Sequence, residues 1–271
     1  MPSETPPVFS ARDIVYSYDR VPALTRLSLD IKRGERIALL GANGSGKSTL
    51  IRLLAALSFA QQGSILFCGQ SLTAPQMENE EFFYSFRRRV GLVFQNPDVQ
   101  LFNSNVFDEV AFGPLQLGWT KSEIRHRVLE TLSALQIETL HDRAPHRLSA
   151  GEKKKVALAT VLVTDPEVVL LDEPVAALDP ASQETILELL ASWAGGPRTV
   201  VTATHDLSAL EGVADRCIVL QGGTVAVDGD PYSILHDGRL LEKAGLVRPH
   251  RHHHDAKTKA PHGHIHEDDL L

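Results

Sequence analysis

The sequence predicts an α/β domain: a mostly parallel core sheet, an antiparallel β layer ahead of it in the chain, and a helical insert. Three observations carry that expectation. Short apolar runs recur at 36–40, 168–171, 199–204 and 217–220, each bracketed by polar residues or by Gly and Pro. Such runs, separated by helical stretches, suit parallel strands buried on both faces. The first run passes through a Gly-rich loop into a segment with Leu50, Leu53, Leu54 and Leu57 on one helical face. From about 97 to 163 the pattern turns helical, with Ile124, Val128, Leu132 and Leu135 spaced as an amphipathic helix over 122–135 and a second helix over 152–163.

The remaining elements follow in order. Segments 8–18 and 27–31 alternate in part, with turn signals between them, and predict the small antiparallel layer. Gln221, Gly222 and Gly223 join 217–220 to 224–227 as a hairpin. One domain is expected over 1–248, with the helical subdomain inserted at about 97–163. The stretch 249–271 is polar, His-rich and aperiodic, and is expected to be disordered.

Composition bounds the function. A chain of 271 residues, 43% hydrophobic and 23% charged, makes an ordinary globular core. A net charge of -7 argues against nucleic acid or an anionic membrane surface as the main partner. Cys68 and Cys217 are far apart and outside metal-ligand spacing, so both are expected as small buried hydrophobes in a reducing compartment. The amino terminus lacks a signal-peptide pattern, and no stretch approaches the ~18 apolar residues of a membrane span. A cytoplasmic location is expected.

Gly41-Ala42-Asn43-Gly44-Ser45-Gly46-Lys47-Ser48, followed by Thr49, is a phosphate-binding loop between strand and helix. Its glycines let backbone N–H groups turn inward around the α- and β-phosphates; Lys47 reaches the β/γ oxygens and the Ser48 hydroxyl ligates Mg²⁺. The helix N-terminus favours the same anion. Alone, the loop allows kinases and GTPases equally. The run 168–171 ends in Asp172 and Glu173. Successive strand residues point oppositely, so Asp172 is expected in the magnesium shell and Glu173 beside a water aligned on the γ-phosphate, as its general base.

Leu148-Ser149-Ala150-Gly151-Glu152 resembles the signature motif of ABC transporter ATPases, and other landmarks follow in that family's order. Gln95 matches its glutamine loop, Asp179 (in Ala177-Leu178-Asp179) its D-loop, and His205 its switch histidine. Tyr18 matches the aromatic that stacks on adenine, with Tyr16 as competitor two residues away. The resemblance spans roughly 8–235 and implies a P-loop NTPase fold of the ABC cassette kind. It implies ATP and Mg²⁺ as cofactors, ATP hydrolysis with Glu173, His205 and Gln95 as catalytic residues, and Gln95 beside Ser48 and Asp172 at the magnesium. It further implies a head-to-tail second cassette, expected as a homodimer, with Ser149, Gly151 and Asp179 meeting the partner's ATP. Ala150 departs from the usual glycine, which is tolerable where φ stays negative.

The stretch Phe94-Gln95-Asn96-Pro97-Asp98-Val99-Gln100-Leu101-Phe102, continuing through 108–114, resembles the ATPases of energy-coupling-factor importers, which take up vitamins, cobalt and nickel. Integral membrane transport subunits are then implied as partners, with Leu101 and Phe102 exposed for docking and the cassette on the inner face of the cell membrane. The tail carries His252, His253, His254, His262, His264 and His266. Imidazoles suit Ni²⁺ and Co²⁺, which tilts the expected substrate to a divalent transition metal, cobalt before nickel, with a vitamin importer or a non-transport ABC ATPase as alternatives. Truncation after Arg248 should remove most Ni²⁺ and Co²⁺ binding by calorimetry, expected at about micromolar affinity and lost near about pH 5.5 as the imidazoles protonate, and leave ATP turnover unchanged.

Overall fold

The computed structural model describes residues 6–207 and 212–247. His252, His253, His254, His262, His264 and His266 lie outside them. In the first sheet, β1 (Phe9–Tyr18) and β2 (Val21–Ile31) make a hairpin. Its turn residues Asp19 and Arg20 both have positive φ, 42° and 76°, the backbone that matches strand twist in a two-residue turn. The antiparallel strands β4 (Gln62–Phe67) and β5 (Gln70–Ser71) complete the order β2-β1-β4-β5. The second sheet holds β3 (Arg36–Leu40), β6 (Val90–Val93), β7 (Val168–Asp172), β8 (Thr199–Ala203), β9 (Arg216–Gln221) and β10 (Thr224–Gly229), in the order β10-β9-β3-β8-β7-β6. Its pairs are parallel except β9–β10.

The parallel strands are buried on both faces, and their period of two sorts the core into layers. Ile37, Leu39, Val168, Leu170, Val201 and Ala203 join one cluster, shared with the antiparallel sheet and with α1 (Lys47–Leu54) and α3 (Glu80–Arg89). Val169, Leu171 and Val200 join a second, built with α4 (Val106–Gln116), α5 (Lys121–Ala134), α6 (Ala150–Leu162) and α7 (Pro180–Ser192). Ala38, Leu40, Cys217 and Val219 meet α8 (Pro231–Leu235) and α9 (Gly238–Lys243) in a third.

Several expectations change. Strand β6 has only four residues, one of them glycine, and follows three arginines, so no apolar run marks it. Its Gly91 is a close approach: a Cβ there would lie 2.3 Å from Val161 Cγ1, so the strand lies tight against α6. Leu57 is not on the α1 face, because that helix ends at Leu54 and Ala56 turns to φ 51°. Cys217 is buried as expected, and burial pushes its thiol up to about 12. Cys68 is only half-buried, because it stands at φ 48° beside the turn between β4 and β5, where Arg33 and Arg89 donate to its sulfur at 3.1 and 2.9 Å. Among the described residues no helix is long and apolar enough to cross a membrane.

The start of the insert hangs on one buried carboxylate. Glu109 of α4 accepts the Phe102 and Asn103 N–H groups at 2.7 and 2.6 Å. The Phe102 ring, 67% exposed, packs edge-on against Phe112 at 4.9 Å. Leu101, expected to be exposed, is half-buried, because its side chain packs against the second cluster. Glu109→Ala strands two backbone donors and should cost about 2–3 kcal/mol, lowering the thermal midpoint by roughly 5–10 °C in a calorimetric scan.

The phosphate loop and its carboxylates

Strand β3 runs into the loop at Gly41, whose φ of 148° and crowded surroundings admit no side chain; a Cβ would meet Leu220 O at 2.4 Å. Gly46 caps α1 at φ 107° and offers no side-chain cap. The helix's first N–H groups are therefore left for an anion, with the positive end of the helix behind them. Lys47 folds back over the loop, its Nζ donating to Gly41 O at 2.6 Å and Ala42 O at 3.3 Å. Burial pushes the Lys47 ammonium pKa down, and Glu173 and Asp172 oppose that shift. The Ser45 hydroxyl is buried without a partner, a polar group suited to an incoming phosphate oxygen.

The alternation along β7 turns Asp172 toward α1, with Val168 and Leu170. There its Oδ1 accepts the Ser48 hydroxyl at 2.9 Å. Burial raises the Asp172 pKa, and the Ser48 hydrogen bond works against that rise. Glu173 lies beyond the strand. Its φ of 48° and its N–H bond to Ala203 O at 2.8 Å set its direction, so a turn, not strand alternation, separates the two carboxylates. Glu173 Oε1 meets His205 Nδ1 at 2.7 Å, with the carboxylate side chain 6% exposed and the imidazole 50%.

Two further loops approach from the insert. Gln95 follows β6 and lines a cleft of about 290 Å³ with Ala150, Lys154, Ala177 and Leu178. Ser149 caps α6: its Oγ accepts the Glu152 N–H at 3.2 Å, while Glu152 Oε2 accepts the Ser149 N–H at 2.7 Å. Ala150 is the first residue of α6 and has no positive φ, so alanine stands there without strain. Gly151 has a packing reason: a Cβ would lie 2.3 Å from Ser182 Oγ. Asp179 caps α7 through Ser182, whose hydrogen bonds hold its carboxyl below the usual range. On the opposite rim Tyr18, 45% exposed, ends β1, while Tyr16 packs on the first cluster. Both hairpins brace the phosphate loop. A Cβ on Gly46 would be 2.7 Å from Ala23 O of β2, and Gly223 N–H donates to Ser45 O at 3.2 Å.

A family model described as ABC transporter matches residues 24–176. The chain belongs to that family. It is an ATP-hydrolysing cassette of it. The chain is similar to a nickel import ATP-binding protein of Rhodobacter capsulatus, 49% identical over 89% of this chain and 96% of that protein. A cobalt import ATP-binding protein of the same organism is 41% identical over 90% and 86%. Among solved structures, cbiO1 of Clostridium perfringens, described as part of the ABC transporter complex cbiONQ, aligns at TM-score 0.75 and 35% identity over 89% of this chain and 95% of that one. A dimeric ATP-binding cassette in a post-hydrolysis state bound to ADP and Pi aligns at TM-score 0.74 and 26% identity over 82% and 98%.

In this cassette the structure brings together the phosphate loop, Asp172, Glu173 and His205. Ser149 and Gly151 stand in the helical layer, bonded or packed within their own caps. Sequence reasoning missed Lys154. It is 1% exposed and donates from Nζ to Phe94 O at 3.0 Å and Gln95 O at 2.8 Å, with burial pushing its pKa down to about 8. It stands among three consecutive lysines, 153–155, and the apolar run Val156 to Ala159 that follows on the same helix is the one signal that one of them could turn inward.

Proposed function

We propose that this cassette powers an importer for a divalent transition metal, nickel or cobalt, of the energy-coupling-factor kind. Separate integral membrane subunits would carry the metal, and the cassette would work on the cytoplasmic face of the membrane. The observation that carries the reading is the buried Glu173 carboxylate bonded to the half-exposed His205, beside Ser48–Asp172 at the mouth of the phosphate loop. Its substrate side is supported by the likeness to a protein named for nickel import, which moves nickel ahead of cobalt. Phe102, exposed on the insert, offers an apolar contact for a membrane partner.

In this reading the loop amides, Asn43 to Thr49, and the Lys47 ammonium bind the phosphates, and Tyr18 stacks on the base. The Ser48 and Asp172 oxygens, hard donors 2.9 Å apart with a buried negative charge behind them, fit Mg²⁺, with Gln95 completing the set. Bound there, the ion would neutralise charge on the β- and γ-phosphates. Glu173 takes a proton from the attacking water as its oxygen bonds to the γ-phosphorus and the bond to the β-phosphate oxygen breaks. His205 holds Glu173 in place through Nδ1. A second copy supplies Ser149, Gly151 and Asp179 to the same nucleotide, a reading supported by the likeness to a dimeric cassette.

Lys47→Ala should abolish ATP binding, whereas Glu173→Gln should keep affinity within a few-fold and lower turnover about 10²–10⁴-fold. Nucleotide titration and phosphate release check both, and wild-type turnover in Glu173→Gln removes the base assignment. In the host cell, deleting the gene should abolish uptake of labelled Ni²⁺ or Co²⁺. Wild-type chain should restore it and Glu173→Gln should not. Intact metal uptake with loss of a vitamin's would replace the metal reading.

A further inference from the structure

We propose that Lys154 is a positioning residue for ATP hydrolysis, locking the backbone of the Gln95 loop to the signature helix so that the two move as one body. The inference rests on the reading of Gln95 as a group that meets the nucleotide site. Its own basis is geometric. Lys154 lies five residues after Ser149 on α6, and its buried ammonium donates to the carbonyls of Phe94 and Gln95. Filling that space alone would not call for a charge, because burying an ammonium against two neutral carbonyls costs more than burying a methionine. The position demands donors.

Neighbouring contacts extend the lock. Lys153 Nζ reaches Asp98 Oδ1 at 2.7 Å. Gln100 Nε2 donates to Ala157 O at 2.9 Å and Thr160 Oγ1 at 2.8 Å, and its Oε1 accepts the Phe94 N–H at 3.2 Å. The loop 94–100 is therefore tied along nearly two turns of α6. The Lys153 pair is exposed and weak, the Gln100 bonds sit at the far end, and among the described residues Lys154 is the side chain that bonds residue 95 itself. Any shift of the α6 N-terminus, where Ser149 stands, then reaches Gln95 through Lys154. A misplacement on the order of 1 Å at such a group can cost about a hundredfold in rate.

Lys154→Met, Lys154→Arg, Gln95→Ala and the double variant Lys154→Met/Gln95→Ala test this in the full-length chain. In Lys154→Met, kcat for ATP should fall at least about tenfold with KM changed less than about twofold, and Lys154→Arg should recover most of the loss. The double variant should be no worse than Gln95→Ala, because the lysine acts through that residue. Without nucleotide, hydrogen exchange should accelerate at 94–100 in Lys154→Met and stay unchanged in β7. Wild-type kcat in Lys154→Met with a loss in Gln95→Ala overturns the lysine's role alone. So do fully additive losses, or unchanged exchange at 94–100. Wild-type kcat in Gln95→Ala overturns the Gln95 reading and the route through it. Should Lys154→Met fail to fold, Lys154→Gln, which keeps a donor without charge, gives the same comparisons.

Discussion

The central parallel strands β3, β7 and β8 are buried on both faces, and that constraint decides where each reacting group stands. With no solvated face to tolerate a slip, alternation assigns every side chain of β3, β7 and β8 to one layer or the other. Asp172 inherits the layer of Val168 and Leu170, which is also the layer of α1, and so meets Ser48. The loops that leave the carboxyl ends of these strands hold the phosphate loop, Glu173 and His205. Chemistry gathers there because the strand ends are the first places where polar groups escape the core.

Burial has an electrostatic consequence. Asp172 stands next to Glu173 in the chain, and burial drives the Asp172 carboxyl toward its neutral form. Lys47 and Lys154 oppose it, one above the phosphate loop and one beneath the Gln95 loop. Each lysine is itself desolvated and satisfied by backbone carbonyls rather than by a direct carboxylate contact. Both ammonium groups therefore act on Asp172 from a distance, with backbone carbonyls as their bonded partners. Lys47 can leave two neutral carbonyls for a phosphate without breaking an ion pair, which lowers the cost of receiving an anion.

The helices that carry Ser149 and Asp179 begin at side-chain caps. Ser149 and Asp179 each satisfy the N–H groups of their own helix, and Gly151 lets those two helix starts approach. Local folding needs explain serine, glycine and aspartate at these sites.

The linear order of residues determined the phosphate loop, the pair Asp172 and Glu173 that closes the apolar run of β7, the parallel core and the hairpin at Gly222–Gly223. Each is a local pattern: a turn that only glycine fits, an apolar run, a period. Tertiary structure alone decided the rest. Strand β6 needed β7 as its neighbour, because four residues with a glycine carry no periodic signal. Tyr16 and Tyr18 alternate to the same side of β1, and only packing leaves Tyr18 the more exposed of the two. The direction of Glu173 came from a left-handed turn that a strand pattern cannot foretell. Lys154 looked like a surface charge, and became a buried donor because the loop after β6, sixty residues earlier in the chain, folds its carbonyls onto α6. Contacts between distant segments leave no mark on either segment alone, whereas a backbone angle or an apolar period must be written where it is used.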